Sequence, residues 1–246
     1  MNEPIITVTA LTMGFEEVTL FERLSFEVTR GEVFTILGGS GCGKSTLLRC
    51  IIGLETPRSG DISIAGVGRP NLDAGRPPFG VMFQSGALFG SMTVGENVAV
   101  ALTQWTDLTP DAVEAVVHAK LRLVGLEAAA GKFPSEISGG MKKRAAIARA
   151  LALEPELIFL DEPSAGLDPV SAVELDDLII TMNRAFGLTV VIVTHELESI
   201  FKITTRCIML DKAEKGIIAS GNPQQLREES LDPRVHSFFN RLPRTA

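Results

Sequence analysis

One stretch decides how this chain folds: Gly38-Gly39-Ser40-Gly41-Cys42-Gly43-Lys44-Ser45. It matches the pattern G-x-x-x-x-G-K-[ST], in which glycines let consecutive backbone N–H groups point at phosphate oxygens. Lys44 supplies a cation for the β- and γ-phosphates, and the Ser45 hydroxyl is a ligand for Mg²⁺. The apolar run 33–37 predicts a buried strand, and the segment from Thr46 to residue 52 predicts a helix whose N-terminus faces the phosphates. The sequence therefore predicts a site for a nucleoside triphosphate with Mg²⁺.

Composition excludes several classes of protein. With 246 residues, 45% of them hydrophobic and 22% charged, the chain has the balance of a globular protein with a sizeable core. A net charge of −7 argues against a nucleic-acid partner. We expect neither a membrane span nor a secretory signal, because the required apolar runs are missing. The cysteines Cys42, Cys50 and Cys207 suit a reducing cytoplasm, and Cys42 is interpreted as a small filler of the loop.

Apolar runs predict an α/β fold. Short runs at 5–8 and 24–28 precede 33–37 and predict a small N-terminal antiparallel sheet. Later runs, each expected to be a strand of a parallel sheet covered on both faces, are 157–160, 190–193, 207–210 and 216–219. Between them, residues 89–151 are interpreted as an inserted α-helical subdomain.

Capping signals define the helices of the inserted region and of the tail. Thr93 and Glu96 form a capping box, and Thr109-Pro110 opens a helix that is expected to run to residue 123. The tail after residue 232 has apolar residues at helical spacing, which predicts a short amphipathic helix. This helix either caps its own domain or contacts another subunit, and the second interpretation is favoured.

Polar side chains with catalytic potential follow the predicted strands. Asp161 and Glu162 end an apolar run, where Asp161 is placed to hold Mg²⁺ and Glu162 to accept a proton from an attacking water. His195 ends the next run and is placed to reach the γ-phosphate, and the amide of Gln84 to sense both water and Mg²⁺. Phe15 has two open interpretations, stacking on an adenine face or packing in the core.

A second anion site is predicted at Ser138-Gly139-Gly140. A serine N-cap followed by two glycines leaves N–H groups and the positive end of a helix dipole available to an anion. Since one triphosphate cannot easily use both this site and the Gly38–Ser45 loop of the same chain, we expect a two-fold homodimer in which each copy lends residues 138–140 to its partner's nucleotide.

Taken together, these motifs resemble those of ABC transporter ATPase subunits, from about residue 5 to 226. The resemblance implies a RecA-like P-loop NTPase core that binds ATP and Mg²⁺ and pairs with an integral membrane permease. It also implies roles for individual residues, including the adenine-stacking role for Phe15. Gln84 would couple the site to the permease, Glu162 would be the general base, Asp168 would belong to a loop at the dimer interface, and His195 would contact the γ-phosphate.

One departure from the usual family pattern, together with the sequence around it, indicates a particular subfamily. Met141 follows Ser138-Gly139-Gly140, where the family usually has glutamine. Residues 134–144 and 81–89 are similar to those of the Mla-type ATPases, which energise phospholipid transport between the inner and outer membranes together with MCE-domain proteins. The resemblance implies a peripheral position on the cytoplasmic face of the inner membrane and a small accessory subunit. Ala87-Leu88-Phe89 is interpreted either as core packing or as a groove for a permease helix.

Three other functions are compatible with parts of this sequence. An ABC importer for amino acids or other small solutes shares nearly all of these motifs, and a DNA-repair or translation ABC ATPase shares the nucleotide site. A P-loop kinase would share only Lys44 and Asp161. The expected domain boundaries are residues 1–88 for the β-subdomain and first part of the core, 89–151 for the helical subdomain, 152–226 for the rest of the core, and 227–246 for the tail.

Overall fold

The computed structural model describes residues 3–71, 73 and 75–242. The chain forms two compact units: the first takes residues up to Pro77 and from Thr189 onward, and the second is Pro78–Leu188. The domain boundaries expected from the sequence lie elsewhere in part and stay a prediction. In the part of the chain that the structure describes, no helix is both long and apolar enough to cross a membrane.

The described residues form strands and α-helices with the following bounds. The strands are β1 (Pro4–Phe15), β2 (Val18–Thr29), β3 (Val33–Gly38), β4 (Ser59–Ile64), β5 (Gly80–Met82), β6 (Leu157–Asp161), β7 (Thr189–Val193), β8 (Arg206–Asp211) and β9 (Gly216–Gly221). The helices are α1 (Lys44–Ile51), α2 (Val94–Trp105), α3 (Pro110–Leu123), α4 (Gly139–Ala150), α5 (Pro169–Phe186), α6 (Leu197–Ile203), α7 (Pro223–Glu229) and α8 (Pro233–Phe239).

The first unit contains the expected antiparallel sheet, in the order β2-β1-β4. Ile6 pairs with Val28 on one side and with Ile64 on the other. The strands β1 and β2 are each 12 residues long, well beyond the predicted 5–8 and 24–28. They are longer because pairing continues through several register shifts to the hairpin end at Phe15 and Val18, and bulges of this kind leave no simple alternation in the sequence.

A parallel arrangement in the same unit positions the phosphate loop. β3 has β7 and β8 as parallel neighbours, with Ile36 opposite Val193 and Ile208. All six residues of β3 are buried, as expected for a strand covered on both faces. The prediction that 216–219 forms a parallel strand is wrong: β9 runs antiparallel to β8. Only residues 212–215 link the two strands, whereas a parallel neighbour requires a crossover of about a dozen residues or more.

The second unit combines a short parallel pair with the predicted helices. β5 and β6 are parallel, with Met82 opposite Leu160. The capping box of Thr93 and Glu96 is present at the start of α2. Thr109 caps α3, which has proline in its first turn and ends at Leu123 as expected.

The tail helix α8 packs on its own unit. Val235 and Phe239 are buried in a cluster with Leu37, Ile200 and Met209. The ring of Phe239 also packs against those of Phe201 and Phe238. Val235 and Phe239 therefore cap the unit to which α8 belongs, whereas Leu242 is 50% exposed, and a contact between the tail and another subunit stays a prediction.

Candidate active site

The phosphate loop joins β3 to α1 and has the backbone that its glycines predict. Gly38, Gly41 and Gly43 have φ angles of 148°, 72° and 95°, all in the region that favours glycine. At Gly38 space is limiting as well, because an added Cβ would lie 2.6 Å from the carbonyl oxygen of Leu210. α1 starts without a side-chain cap. Its first N–H groups are therefore not satisfied by a capping side chain, which suits an anion at this helix end.

The side chain of Lys44 lies against the backbone of the phosphate loop. Its Nζ donates hydrogen bonds to the carbonyl oxygens of Gly38 and Gly39, at 2.9 and 3.0 Å. Ser45 is exposed, and Cys42 is buried. Burial raises the pKa of the Cys42 thiol, with the charge of Lys44 acting in the opposite direction. A neutral, buried thiol agrees with the interpretation of Cys42 as a filler.

His195 lies at the same sheet edge as the phosphate loop. It follows β7 by two residues, and β7 is the parallel neighbour of β3, whose carboxyl end begins the loop. Its side chain is exposed, and its Nε2 lies 3.9 Å from Oε1 of Glu196. This places an imidazole within the first unit at the strand ends where a ligand of a parallel sheet binds.

Phe15 is not a core residue. It ends β1 with 49% of its surface exposed. Phe21, which pairs with Met13 on the same hairpin, approaches the phosphate loop, because a Cβ added to Gly43 would lie 3.2 Å from its ring. The core alternative for Phe15 is therefore wrong, whereas its stacking on an adenine stays a prediction.

In the second unit, Gln84 follows β5 by two residues, Asp161 is the last residue of β6, and Glu162 comes directly after it. Since these strands are parallel neighbours, their carboxyl ends meet at one edge. Asp161 and Glu162 are buried, and Gln84 is exposed. Glu162 has a φ of 47°, a left-handed conformation that is uncommon for a residue with a side chain. Such conformations cluster at functional sites.

Sequence reasoning assigned no role to Lys143, which joins these strand ends. Its Nζ donates hydrogen bonds to the carbonyl oxygens of Gln84 and of Glu162, the latter at 3.0 Å. A signal was present in the sequence: the residues that follow Arg144, from 145 to 148, are apolar on every side of the helix and hence buried. A lysine next to such a segment requires hydrogen-bond partners.

The Ser138-Gly139-Gly140 segment forms the start of α4 as predicted. Ser138 is its N-cap and accepts a hydrogen bond from the N–H of Met141. A Cβ added to Gly140 would lie 3.6 Å from Ser171, in the first turn of α5. The second unit therefore brings the starts of α4 and α5 close together.

Asp168 is the N-cap of α5. Its carboxylate accepts hydrogen bonds from the N–H groups of Val170 and Ser171 and, at 2.5 Å, from the Ser171 hydroxyl. These bonds, led by the one from the hydroxyl, lower the pKa of Asp168. The carboxylate consequently stays charged while it fixes the first turn of α5.

The segment after Gln84 is held by side chains of α2 and α4. Arg149 donates hydrogen bonds to the carbonyl oxygens of Gly86 and Ala87. Asn97 donates to the carbonyl of Phe89 and accepts from its N–H. The Phe89 ring is nevertheless 49% exposed, and Ala87 is exposed as well. The core-packing interpretation of Ala87-Leu88-Phe89 is therefore wrong for these two residues.

Comparison with known proteins agrees with this set of motifs. Residues 21–165 match the family model described as ABC transporter. The chain is similar to the intermembrane phospholipid transport system ATP-binding protein MlaF of Escherichia coli K12, with 42% identity over 90% of this chain and 83% of the relative. It is also similar to MlaF of Haemophilus influenzae, with 38% identity over 97% of this chain and 91% of the relative. A probable ribonucleotide transport ATP-binding protein, mkl of Mycobacterium leprae, is 40% identical over 96% of this chain and 68% of its own length.

Solved structures give the same result at the level of the fold. The chain aligns with a dimeric ATP-binding cassette in a post-hydrolysis state bound to ADP and Pi, with a TM-score of 0.79 and 27% identity over 88% of this chain and 98% of that one. It aligns with cbiO1 of Clostridium perfringens, part of the cbiONQ ABC transporter complex, with a TM-score of 0.81 and 30% identity over 92% of both chains. The expected fold, a P-loop core with an antiparallel β-subdomain and inserted helices, is thereby confirmed, and the chain belongs to the ABC transporter family as one of its ATP-binding subunits.

Proposed function

We propose that this chain is the ATP-hydrolysing subunit of an ABC transporter that moves phospholipids between the inner and outer membranes. The observation that carries the proposal is the occurrence of every predicted nucleotide-site motif in a chain that is 42% identical to an intermembrane phospholipid transport ATPase over 90% of its length. A likeness of this extent includes the helical region around α4.

The chemistry of hydrolysis is assigned to this chain's own residues. The N–H groups of residues 38–46 bind the phosphates, and Lys44 exchanges its bonds with Gly38 and Gly39 for phosphate oxygens. The Glu162 carboxylate accepts the proton of the attacking water. His195 donates a hydrogen bond to the γ-phosphate. The buried site of Glu162 supports this role, because exclusion of bulk water strengthens the interaction of a carboxylate with a developing charge.

The donor set fits Mg²⁺. Ser45 offers a hydroxyl, Gln84 an amide oxygen and Asp161 a carboxylate, and oxygen atoms of these kinds are what Mg²⁺ prefers. When bound, Mg²⁺ would neutralise charge on the phosphates as the β–γ bond breaks. Chelation of Mg²⁺ with EDTA should therefore abolish ATP hydrolysis, and readdition of Mg²⁺ should restore it.

Two copies of the chain are proposed to act together. The N-terminus of α4, with Ser138, Gly139 and Gly140, would contact the γ-phosphate held by the partner's phosphate loop, and Asp168 would belong to a loop at the dimer interface. The exposed position of Ser138 and Gly139 supports this assignment, because both must be accessible to a second molecule. The dimeric state of the structural neighbour with ADP and Pi supports it as well.

A membrane permease is the proposed partner of the segment that follows Gln84. Phe89 is exposed while its backbone is fixed by Asn97, so it presents an apolar side chain in a defined position. Replacement of the neighbouring Leu88 by glutamate should release the permease in a pull-down, whereas the same change at the exposed Leu108 should not. Permease retention by the Leu88→Glu variant would contradict this role.

The further partners follow from the phospholipid assignment. We propose an MCE-domain protein, a small accessory subunit and attachment to the cytoplasmic face of the inner membrane through the permease. Purification of the tagged chain from native membranes, with identification of bound lipids and proteins, tests the assignment. Phospholipid and a multi-span permease are expected. A periplasmic amino-acid-binding protein, or stimulation of hydrolysis by ribonucleosides rather than by phospholipid, would overturn the substrate class but leave the ATPase assignment intact.

A further inference from the structure

Lys143 is a buried lysine in the first half of α4. Only 7% of its surface is exposed. Burial of an ammonium group is unfavourable unless it is hydrogen-bonded, and here burial lowers the pKa of Lys143 while the charges of Asp161 and Glu162 oppose that shift. The buried ammonium group therefore needs hydrogen-bond acceptors in the folded protein.

Its two hydrogen bonds end on Gln84 and Glu162, two of the residues that the proposed mechanism uses in this unit. The Nζ donates to the carbonyl oxygen of Gln84, two residues after β5, and to that of Glu162, immediately after β6. β5 and β6 are adjacent parallel strands. A single ammonium group therefore connects the ends of both strands, and it does so from the helix that Ser138 caps.

The backbone of Glu162 requires such a connection. Its φ of 47° costs about 1–2 kcal/mol relative to an ordinary conformation. The carbonyl oxygen of Glu162 also accepts a hydrogen bond from the N–H of Ala165, at 3.2 Å. The bond from Lys143 adds to this one and restrains the peptide against rotation toward a relaxed conformation. Rotation at this residue changes the direction in which the carboxylate points.

We infer that Lys143 is a positioning residue for ATP hydrolysis: it fixes the main chain of Glu162 and Gln84 so that the Glu162 carboxylate is aimed at the attacking water. The inference depends on the proposed role of Glu162 as general base. Lys143 itself contacts neither substrate nor the reacting atoms, and acts through the orientation of Glu162.

Substitutions at Lys143 give a graded test in the full-length chain. Lys143→Arg keeps a charged side chain able to donate to two carbonyls, Lys143→Gln keeps a shorter neutral donor, and Lys143→Met has none. We expect kcat for ATP to fall in that order, by about 10- to 100-fold for Lys143→Met, because a displacement of a catalytic group by about 1 Å has effects of this size. The KM for ATP should stay within about twofold of the wild-type value, since the phosphate loop is unchanged.

Lys120→Met is the matched control. Lys120 lies on α3 of the same unit and forms an ion pair with Glu154 at 2.8 Å, so this variant also removes a partly buried, paired lysine. Its kcat and KM should equal those of the wild type. If Lys143→Met lowers only the melting temperature, with normal kcat per folded molecule, Lys143 is structural and the inference is wrong. If Lys143→Met does not fold, equal kcat values for the glutamine and arginine variants would overturn it.

A second measurement separates this inference from the proposed function. In a Glu162→Gln background, the Lys143→Met change should lower the residual rate no further, because Lys143 acts through the carboxylate that is missing. Full activity of the Glu162→Gln single variant would overturn the general-base proposal itself. An inactive Glu162→Gln variant combined with a fully active Lys143→Met variant would overturn only the positioning role.

Discussion

The hydroxyl oxygen of Ser138 lies 3.3 Å from the backbone nitrogen of Met141 and accepts its hydrogen bond, so one side chain both caps α4 and stands at its exposed N-terminus. These two roles can be separated by substitution. Aspartate and asparagine cap helices about as well as serine. Only aspartate adds a negative charge where the γ-phosphate of the partner's nucleotide is proposed to bind.

We therefore expect Ser138→Asp to lower ATP hydrolysis by about 10²- to 10³-fold, the effect typical of losing an electrostatic contact to the transition state. Its melting temperature should remain close to that of Ser138→Asn, which serves as the neutral control. Steady-state hydrolysis and thermal melts of both variants provide the measurement. A Ser138→Asp variant as active as the Asn variant would remove Ser138 from the nucleotide site.

Glu162→Gln should bind ATP and hydrolyse it about 10²- to 10⁴-fold more slowly, because glutamine keeps the size of glutamate but cannot accept the proton of the attacking water. The dimer should accumulate with ATP bound, since the step that releases it is blocked. Size-exclusion chromatography with ATP, together with phosphate release, measures both effects. Hydrolysis at the wild-type rate would show that another group is the base.

Phe239→Ala should destabilise the chain by about 3–5 kcal/mol, the range for a buried phenylalanine. Phe239 is 2% exposed and lies 5.7 Å from the ring of Phe201, centroid to centroid. Leu242→Ala is the control: Leu242 is 50% exposed, and its replacement should change stability by no more than about 0.5 kcal/mol. Urea unfolding measures the difference. Equal stability of the two variants would mean that α8 detaches from its unit in solution.

The three thiols should be inert in the native protein at pH 8. Burial raises the pKa of Cys50 to about 11 and that of Cys207 to about 12, and it also raises the pKa of Cys42. At pH 8 the thiolate, which is the reactive form, is then about a thousandth or less of Cys50 and Cys207. A disulfide reagent should label all three thiols in guanidinium chloride and none, on the same timescale, without it. Rapid labelling of the native chain would contradict this.

Local chemistry made much of the fold predictable from the sequence. The starts of α2, α3 and α4 follow from Thr93, Thr109 and Ser138, because a cap bonds only to groups within its own first turn. The phosphate loop is predictable for the same reason, since its glycine pattern encodes the backbone directly.

Features that depend on distant partners were harder to predict. The full length of β1 and β2 comes from cross-strand pairing through register shifts, which no short window contains. The direction of β9 could have been deduced from its four-residue link to β8, but an apolar run alone does not distinguish parallel from antiparallel strands. Lys143 reaches carbonyls that are 59 and 19 positions away along the chain, so its partners appear only once α4 is packed.

The left-handed backbone of Glu162 has a consequence for directed evolution. A library screened only for resistance to heat should enrich glycine or asparagine at position 162, because both residues adopt a positive φ with less steric cost. A library screened for turnover should keep glutamate there despite that cost. The two selections would thus diverge at a single codon, and the frequency of each residue would indicate how much thermal tolerance this protein gives up for its chemistry.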